Sequence, residues 1–217
     1  INSAGQITII NSALSDSGAE CVSTQGAAFV TMFETSMESC GDVDLWMRGN
    51  QIDLTNVSLE GGADLAFVTG IMSNIVSTGD IEVSNIDGLL IENLVLAGTI
   101  SGIDNREMVI DTAHIVGAPG IEFDATAGTI GGATIDCNGS GVGMVVHHGR
   151  ASAPLIVSDS SISGCSKGID LHSDGEPMDI EFHSVNVQAT TAVASDGYGF
   201  IFYGGQLSGS VDVRSEE

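Results

Sequence analysis

The sequence predicts an all-β chain, a β-solenoid of about ten coils, and three observations predict it. Apolar residues make up 42% of the 217, aromatics only 5%, and 29 residues are Gly. Such a composition suits thin, repetitive layers of small and β-branched side chains better than a thick mixed core. One short stretch keeps returning. LLIENLVLAG, at positions 89–98, reappears as MVIDTAHIVG, GTIGGATIDC, PLIVSDSSISG and FIFYGGQLSG. Within each copy the apolar positions advance in steps of two, the period of a strand. The chain is long enough for one domain with its own core.

The copies align on an anchor residue: Ile9, Met32, Leu54, Met72, Ile91, Ile110, Ile130, Val157, Phe182 and Phe202. Five residues on stand Leu14, Met37, Leu59, Ser77, Leu96, Ile115, Ile135, Ile162, Val187 and Leu207. The residue three after the anchor is small or aliphatic, and that odd step marks a sharp corner. A second alternating run follows in most copies: Val43 with Leu45, Leu65 with Phe67, Ile81 with Val83, Ile121 with Phe123, Val142 with Met144, Ile169 with Leu171, Val211 with Val213. Turns rich in Gly, Asn, Ser and Asp separate the runs. Strands this short cannot bury an apolar face alone, but stacked copies can, each strand pairing with its equivalent about 4.8 Å away. Ten coils make a rod roughly 45 to 50 Å long at that spacing.

Two residues after the anchor, four copies carry Asn11, Asn56, Asn74 and Asn93. A buried corner Asn satisfies backbone groups and tolerates left-handed conformations. With this column the pattern resembles, over nearly the whole chain, the right-handed parallel β-helix of pectate lyases and their many non-enzymatic relatives, which often carry an asparagine ladder at one turn. The resemblance implies the fold and leaves the function open, since that fold hosts lyases, hydrolases, tailspikes, adhesins and surface-layer proteins. Polygalacturonases of this fold resemble one another in Asn-Thr-Asp, paired Asp, Gly-His-Gly and Arg-Ile-Lys segments, and none occurs here. Pectate lyases use an Arg base with basic and calcium-binding neighbours. Arg106 and Arg150 stand without such partners.

The four cysteines, Cys21, Cys40, Cys137 and Cys165, have no CxxC spacing, which argues against a zinc or thioredoxin-like motif. Cys137 lies seven residues after its anchor and Cys165 eight after the next, so the two should meet on neighbouring coils. Cys21 and Cys40 also fall on consecutive coils. The expected disulfides are Cys137–Cys165 and Cys21–Cys40, with four buried thiols as the alternative. Disulfides place a chain outside the cytoplasm. The sequons at Asn56 and Asn138 fit export, and Asn138, near a turn, is the better glycosylation candidate.

Chemistry, if any, is expected where the coils lengthen, in VVHHGRASAP and LHSDGEP. These segments bring His147, His148, Arg150, His172, Asp174 and Glu176 toward one flank. His172, Asp174, Glu176 and Arg150 are the candidates for acid–base work. His147, His148, Asp174 and Glu176 are the candidates for holding a cation. The competing reading is solvated decoration of a rod.

Twenty-nine acids against five bases leave a net charge of −24. Nucleic acid is excluded as a partner, since phosphate binding needs clustered Lys and Arg. No apolar run long enough for a membrane span occurs. No cofactor is required, although calcium or other cations suit the surface. Both ends read as strands without a capping helix, and exposed strand edges invite other chains. The sequence therefore points to an extracellular or cell-surface structural or adhesive element, either a piece of a longer stack of coils or a chain pairing with itself through end-to-end or lateral strand-edge contacts. A carbohydrate-binding or polysaccharide-cleaving protein is the alternative.

Overall fold

The computed structural model describes residues 5–26, 29–41, 43–147, 154–172, 179–196 and 200–214. Every described element is a strand and every pairing is parallel. Strands β1 (Gln6–Ile10), β2 (Ala13–Ser15) and β3 (Val22–Gln25) make the first coil. The next five each have a long strand bent round a corner and a short one: β4 (Phe29–Glu38) and β5 (Leu45–Arg48), β6 (Gln51–Leu59) and β7 (Ala63–Ala66), β8 (Thr69–Ser77) and β9 (Ile81–Ser84), β10 (Leu89–Leu96) and β11 (Ile100–Ile103), β12 (Met108–Val116) and β13 (Ile121–Asp124). The seventh splits into β14 (Gly128–Gly131), β15 (Thr134–Asp136) and β16 (Val142–Val146). The eighth has β17 (Leu155–Ser158) and β18 (Ser161–His172), while β19 (Ile180–Asp196) and β20 (Phe200–Arg214) each run round a whole coil. The chain is thus a parallel β-solenoid of ten coils, each with three sides.

The anchors form one continuous column. Ile9 pairs with Met32, Met32 with Leu54, and so on without a slip to Phe182 and Phe202. The eight anchors from Met32 to Phe182 are at most 1% exposed. Neighbouring columns of Val, Ile, Leu and Met fill the rest of the interior. Like stacked on like is what lets an 18- to 27-residue step build a core at all, since no single coil encloses one.

The residue two after the anchor has a φ between 47° and 79° in all ten coils: Asn11, Glu34, Asn56, Asn74, Asn93, Thr112, Gly132, Asp159, Ser184 and Gly204. The four asparagines are exposed rather than buried, which corrects the expectation of an internal ladder. They serve the left-handed corner, where Asn is tolerated, and one rung bonds laterally, Asn93 Nδ2 to Asn74 Oδ1 at 3.2 Å. The buried polar groups lie at another corner. There Asn105 Oδ1 accepts from Ile86 N at 2.9 Å, and its Nδ2 donates to Val83 O and Thr126 Oγ1, both at 3.3 Å. Near the start of the stack, Thr24 Oγ1 donates to Asn50 Oδ1 at 2.9 Å.

On the third side, three of the seven alternating runs sit two residues away from the expected place. The inward pairs are Leu45 with Met47, Ala63 with Leu65, and Met144 with Val146. Phe67 instead stands at a corner, 63% exposed, with φ 53°. A shift of two preserves the face of a strand, so alternation cannot locate its end.

The remaining corner is built from Gly61, Gly79, Gly98 and Gly117 on successive coils. A Cβ on Gly79 would lie 2.4 Å from the Gly61 carbonyl carbon, and one on Gly117 2.4 Å from Gly98 O. Disulfides flank this column on either side: Cys21–Cys40 joins coils one and two, and Cys137–Cys165 joins coils seven and eight, with Cα separations of 5.3 and 4.9 Å. Relative to β19, one extra residue is accommodated in β18 between Ile162 and Cys165, which is why Cys165 lies eight residues after its anchor rather than seven.

Candidate functional site

Outward-facing residues on the third side form columns, just as the inward ones do. One reads Asp124, His147, His172, Asp196, Arg214, and the adjacent one Glu122, Val145, Asp170, Ala194, Asp212. Parallel pairing without a slip sets each residue about 4.8 Å from the next. Charged groups distant in sequence are therefore brought side by side. Over coils eight to ten they line a cleft of about 190 Å³ with Lys167, Thr191 and Ser195.

Both the lysine and the arginine of the cleft pair with carboxylates. Lys167 Nζ donates to Asp170 Oδ2 at 2.8 Å, and the Asp170 side chain is only 10% exposed. His172 lies between two carboxylates, its Nε2 3.4 Å from Asp170 Oδ2 and its Nδ1 3.5 Å from Asp196 Oδ2. Its ring stacks on that of His147 at 5.3 Å, and His147 Nε2 sits 3.2 Å from Glu122 Oε1. Arg214 donates to Asp212 Oδ2 at 3.1 Å. A general base needs a ring nitrogen free to face a substrate proton. Both ring nitrogens of His172 face carboxylates.

Of the residues expected to carry chemistry, His147 and His172 do come together on adjacent coils. His148, Arg150, Asp174 and Glu176 lie outside the described residues. Lys167, Asp170, Asp196, Asp212 and Arg214 were not singled out from the sequence. The signal that finds them is the column itself, obtained by counting outward positions from each anchor rather than inward ones. A second groove, of about 320 Å³, runs along the second side of the same coils. It is lined by Ser161, Ser163, Asn186, Gln188, Gln206 and Ser208 with Ile162 and Val187, so its polar lining holds amides and hydroxyls without charge.

Elsewhere, a carboxylate oxygen of Asp44 and the sulfurs of Cys21 and Cys40 lie within 4.8 Å of one another. The sulfurs are bonded to each other and offer no thiolate to a metal. Asp44 instead holds the corner, its Oδ2 accepting from Gly61 N at 2.8 Å. Asn138 is exposed at a left-handed turn, and its backbone N–H donates to Asp136 Oδ1 at 2.9 Å. His183 stacks on Tyr203 at 4.6 Å and meets Glu181 at 2.9 Å, forming a separate polar patch on the first side. No helix among the described residues is long and apolar enough to cross a membrane.

These features define a disulfide-stapled, strongly acidic parallel β-solenoid. Compared with known proteins, the chain matches no family model, no curated protein and no solved structure.

Proposed function

We propose that the chain is a non-catalytic structural or adhesive rod of an extracellular, cell-surface assembly, built as a right-handed β-helix of the pectate-lyase-like kind. One observation carries the reading: the charged and polar side chains of the cleft already face one another. Lys167 and Arg214 pair with Asp170 and Asp212, and both ring nitrogens of His172 face carboxylates, those of Asp170 and Asp196. Two disulfides support an oxidising compartment. The charge of −24 suits a solvated exterior surface.

A second reading has its own support. Two polar grooves on adjoining sides of coils eight to ten, one charged and one neutral, present the groups that recognise a polysaccharide. One experiment separates the two. The protein is incubated with neutral and uronate polysaccharides with and without calcium, and new reducing ends and unsaturated products are measured. The structural reading expects neither. Cleavage that is lost in His172→Ala or Asp170→Asn overturns it in favour of an enzyme. Retention on a polysaccharide without cleavage, lost in Gln188→Ala, makes the rod an adhesin for that sugar.

A further inference from the structure

Cys21 and Asp44 sit side by side on the first two coils. Each precedes by one residue the paired Val22 and Leu45 of β3 and β5, and Val22 N donates to Asp44 O at 3.0 Å. Cys40, just past the end of β4, closes the group from the corner, its Cα 5.3 Å from that of Cys21. The two sulfurs and a carboxylate oxygen of Asp44 all lie within 4.8 Å of one another. No short motif announces the set, because the cysteines are 19 residues apart and only the stacking of coils brings them to the acid.

Of the described acids only Asp44 and Asp170 are buried, and Asp170 has Lys167 for a partner. Asp44 is 0% exposed. Its Oδ2 accepts from Gly61 N at 2.8 Å, but its Oδ1 meets no donor among the described residues. A buried carboxylate is normally paired with a cation, hydrogen-bonded on both oxygens or bound to a metal. The disulfide beside it has no proton to donate.

Reduction changes what this corner offers. Opening the Cys21–Cys40 bond leaves two sulfurs that ligate as thiolates, next to a carboxylate already within reach of both. Two thiolates and a carboxylate are a zinc donor set, and thiolate ligands select zinc over calcium or magnesium. We infer that in the thiol form of the chain Cys21, Cys40 and Asp44 hold one zinc ion, with water in the fourth position, and that oxidation trades the ion for the disulfide. Cys21 is half-buried and gives the site its opening to solvent, while Cys40, 3% exposed, and Asp44 form its floor.

In the exchange a small-molecule disulfide is the oxidant. One cysteine thiolate attacks it, forms a mixed disulfide and releases one small-molecule thiolate. The other cysteine thiolate displaces the second, so the Cys21–Cys40 bond forms as the incoming S–S bond is consumed. Two electrons pass from the cysteines to the oxidant, the released thiolates take protons from water, and Zn²⁺ leaves with its charge unchanged. Zinc thereby ties coils one and two while thiols are kept reduced, and the disulfide ties the same two afterwards. The site is the same whether the rod is structural or adhesive, and its metal binding is measured independently of any polysaccharide.

The second disulfide is a built-in control, since among the described residues no third ligand joins Cys137 and Cys165. The full chain is reduced with a phosphine under nitrogen and titrated with Co²⁺, whose thiolate charge-transfer band reports sulfur ligation, and then with Zn²⁺. The expected result is one Co²⁺ per chain with that band, displaced by Zn²⁺, and none before reduction. Binding persists in Cys137→Ser/Cys165→Ser and is lost in Cys21→Ser/Cys40→Ser. In Asp44→Asn, which keeps an acceptor for Gly61 N–H but not the charge, affinity falls about tenfold or more. A reduced chain that takes up no Co²⁺ overturns the inference. So do two ions per chain, binding that survives the loss of Cys21 and Cys40, or an affinity unchanged in Asp44→Asn. Circular dichroism follows the fold throughout: if the reduced chain loses its β signal, one equivalent of Zn²⁺ restores it, and failure to do so also overturns the inference.

Discussion

At several positions in this fold the backbone of a neighbouring coil comes too close for any Cβ, Gly70 and Gly128 among them. Gly70 has φ 127°, and a Cβ there would lie 2.0 Å from Ile52 O on the coil below. The clash is with backbone, so no side-chain rotation relieves it. Gly70→Ala should cost at least ~1 kcal/mol and displace the coil. Gly18 has nothing within 4 Å of its would-be Cβ and an ordinary φ, so Gly18→Ala should fall within about 0.5 kcal/mol of the parent. Chemical denaturation of the pair checks this, and equal midpoints would contradict the packing described for Gly70. The same scale shows where sequence reading stopped. Asn at the left-handed corner was legible in four coils because Asn tolerates that conformation. Glu34 and Thr112 hold it in two others with φ 48° and 60° and have no such preference, so only the stacking of coils imposes it on them.

Individual strands here are marginal, and what holds each is its neighbour above and below. The first side was fully legible, since all ten anchors pair as their spacing requires, because an apolar residue at a fixed offset recurs in every coil. The third side was legible only in part. Its runs are short, and a two-residue shift keeps the same face inward. In coil five the run is Ile100 with Gly102, which offers no alternation to read. The cleft was less legible still, since polar outward residues carry no periodic signal of their own. Disulfides act at this scale too. Cys137–Cys165 closes a span of 28 residues and Cys21–Cys40 one of 19, worth ~3–4 kcal/mol each on the chain-entropy model. Because each coil contacts only its neighbours, the loss should be local. In Cys137→Ser/Cys165→Ser, amide exchange should accelerate in β15, β16 and β18, while β6 and β8 keep their protection. Uniform acceleration along the rod would mean the stack unfolds as one unit.

Over the whole molecule, self-repulsion dominates the electrostatics. A net charge of −24 on a narrow rod is opposed by few cations. Screening shortens the reach of each charge from about 30 Å at 0.01 M salt to about 10 Å at 0.1 M. The thermal midpoint should therefore climb steeply between those concentrations of sodium chloride and flatten beyond them. A midpoint independent of salt would show that the acids lie too far apart to matter, or that bound cations already neutralise them. Calcium at equal ionic strength distinguishes those cases, since further stabilisation identifies specific binding.

The placement of the two disulfides has a mechanical consequence. Each ties a coil to the next at the same corner, one pair near the start of the stack and one in its later half, with the bare glycine corner between. Pulled from its ends, such a rod unravels outer coil first, and each bond withholds the segment it encloses. At about 3.4 Å per residue, spans of 19 and 28 residues withhold contour lengths of about 65 and 95 Å. Under load the oxidised chain would hold back both segments, and a thiol reductant would release them.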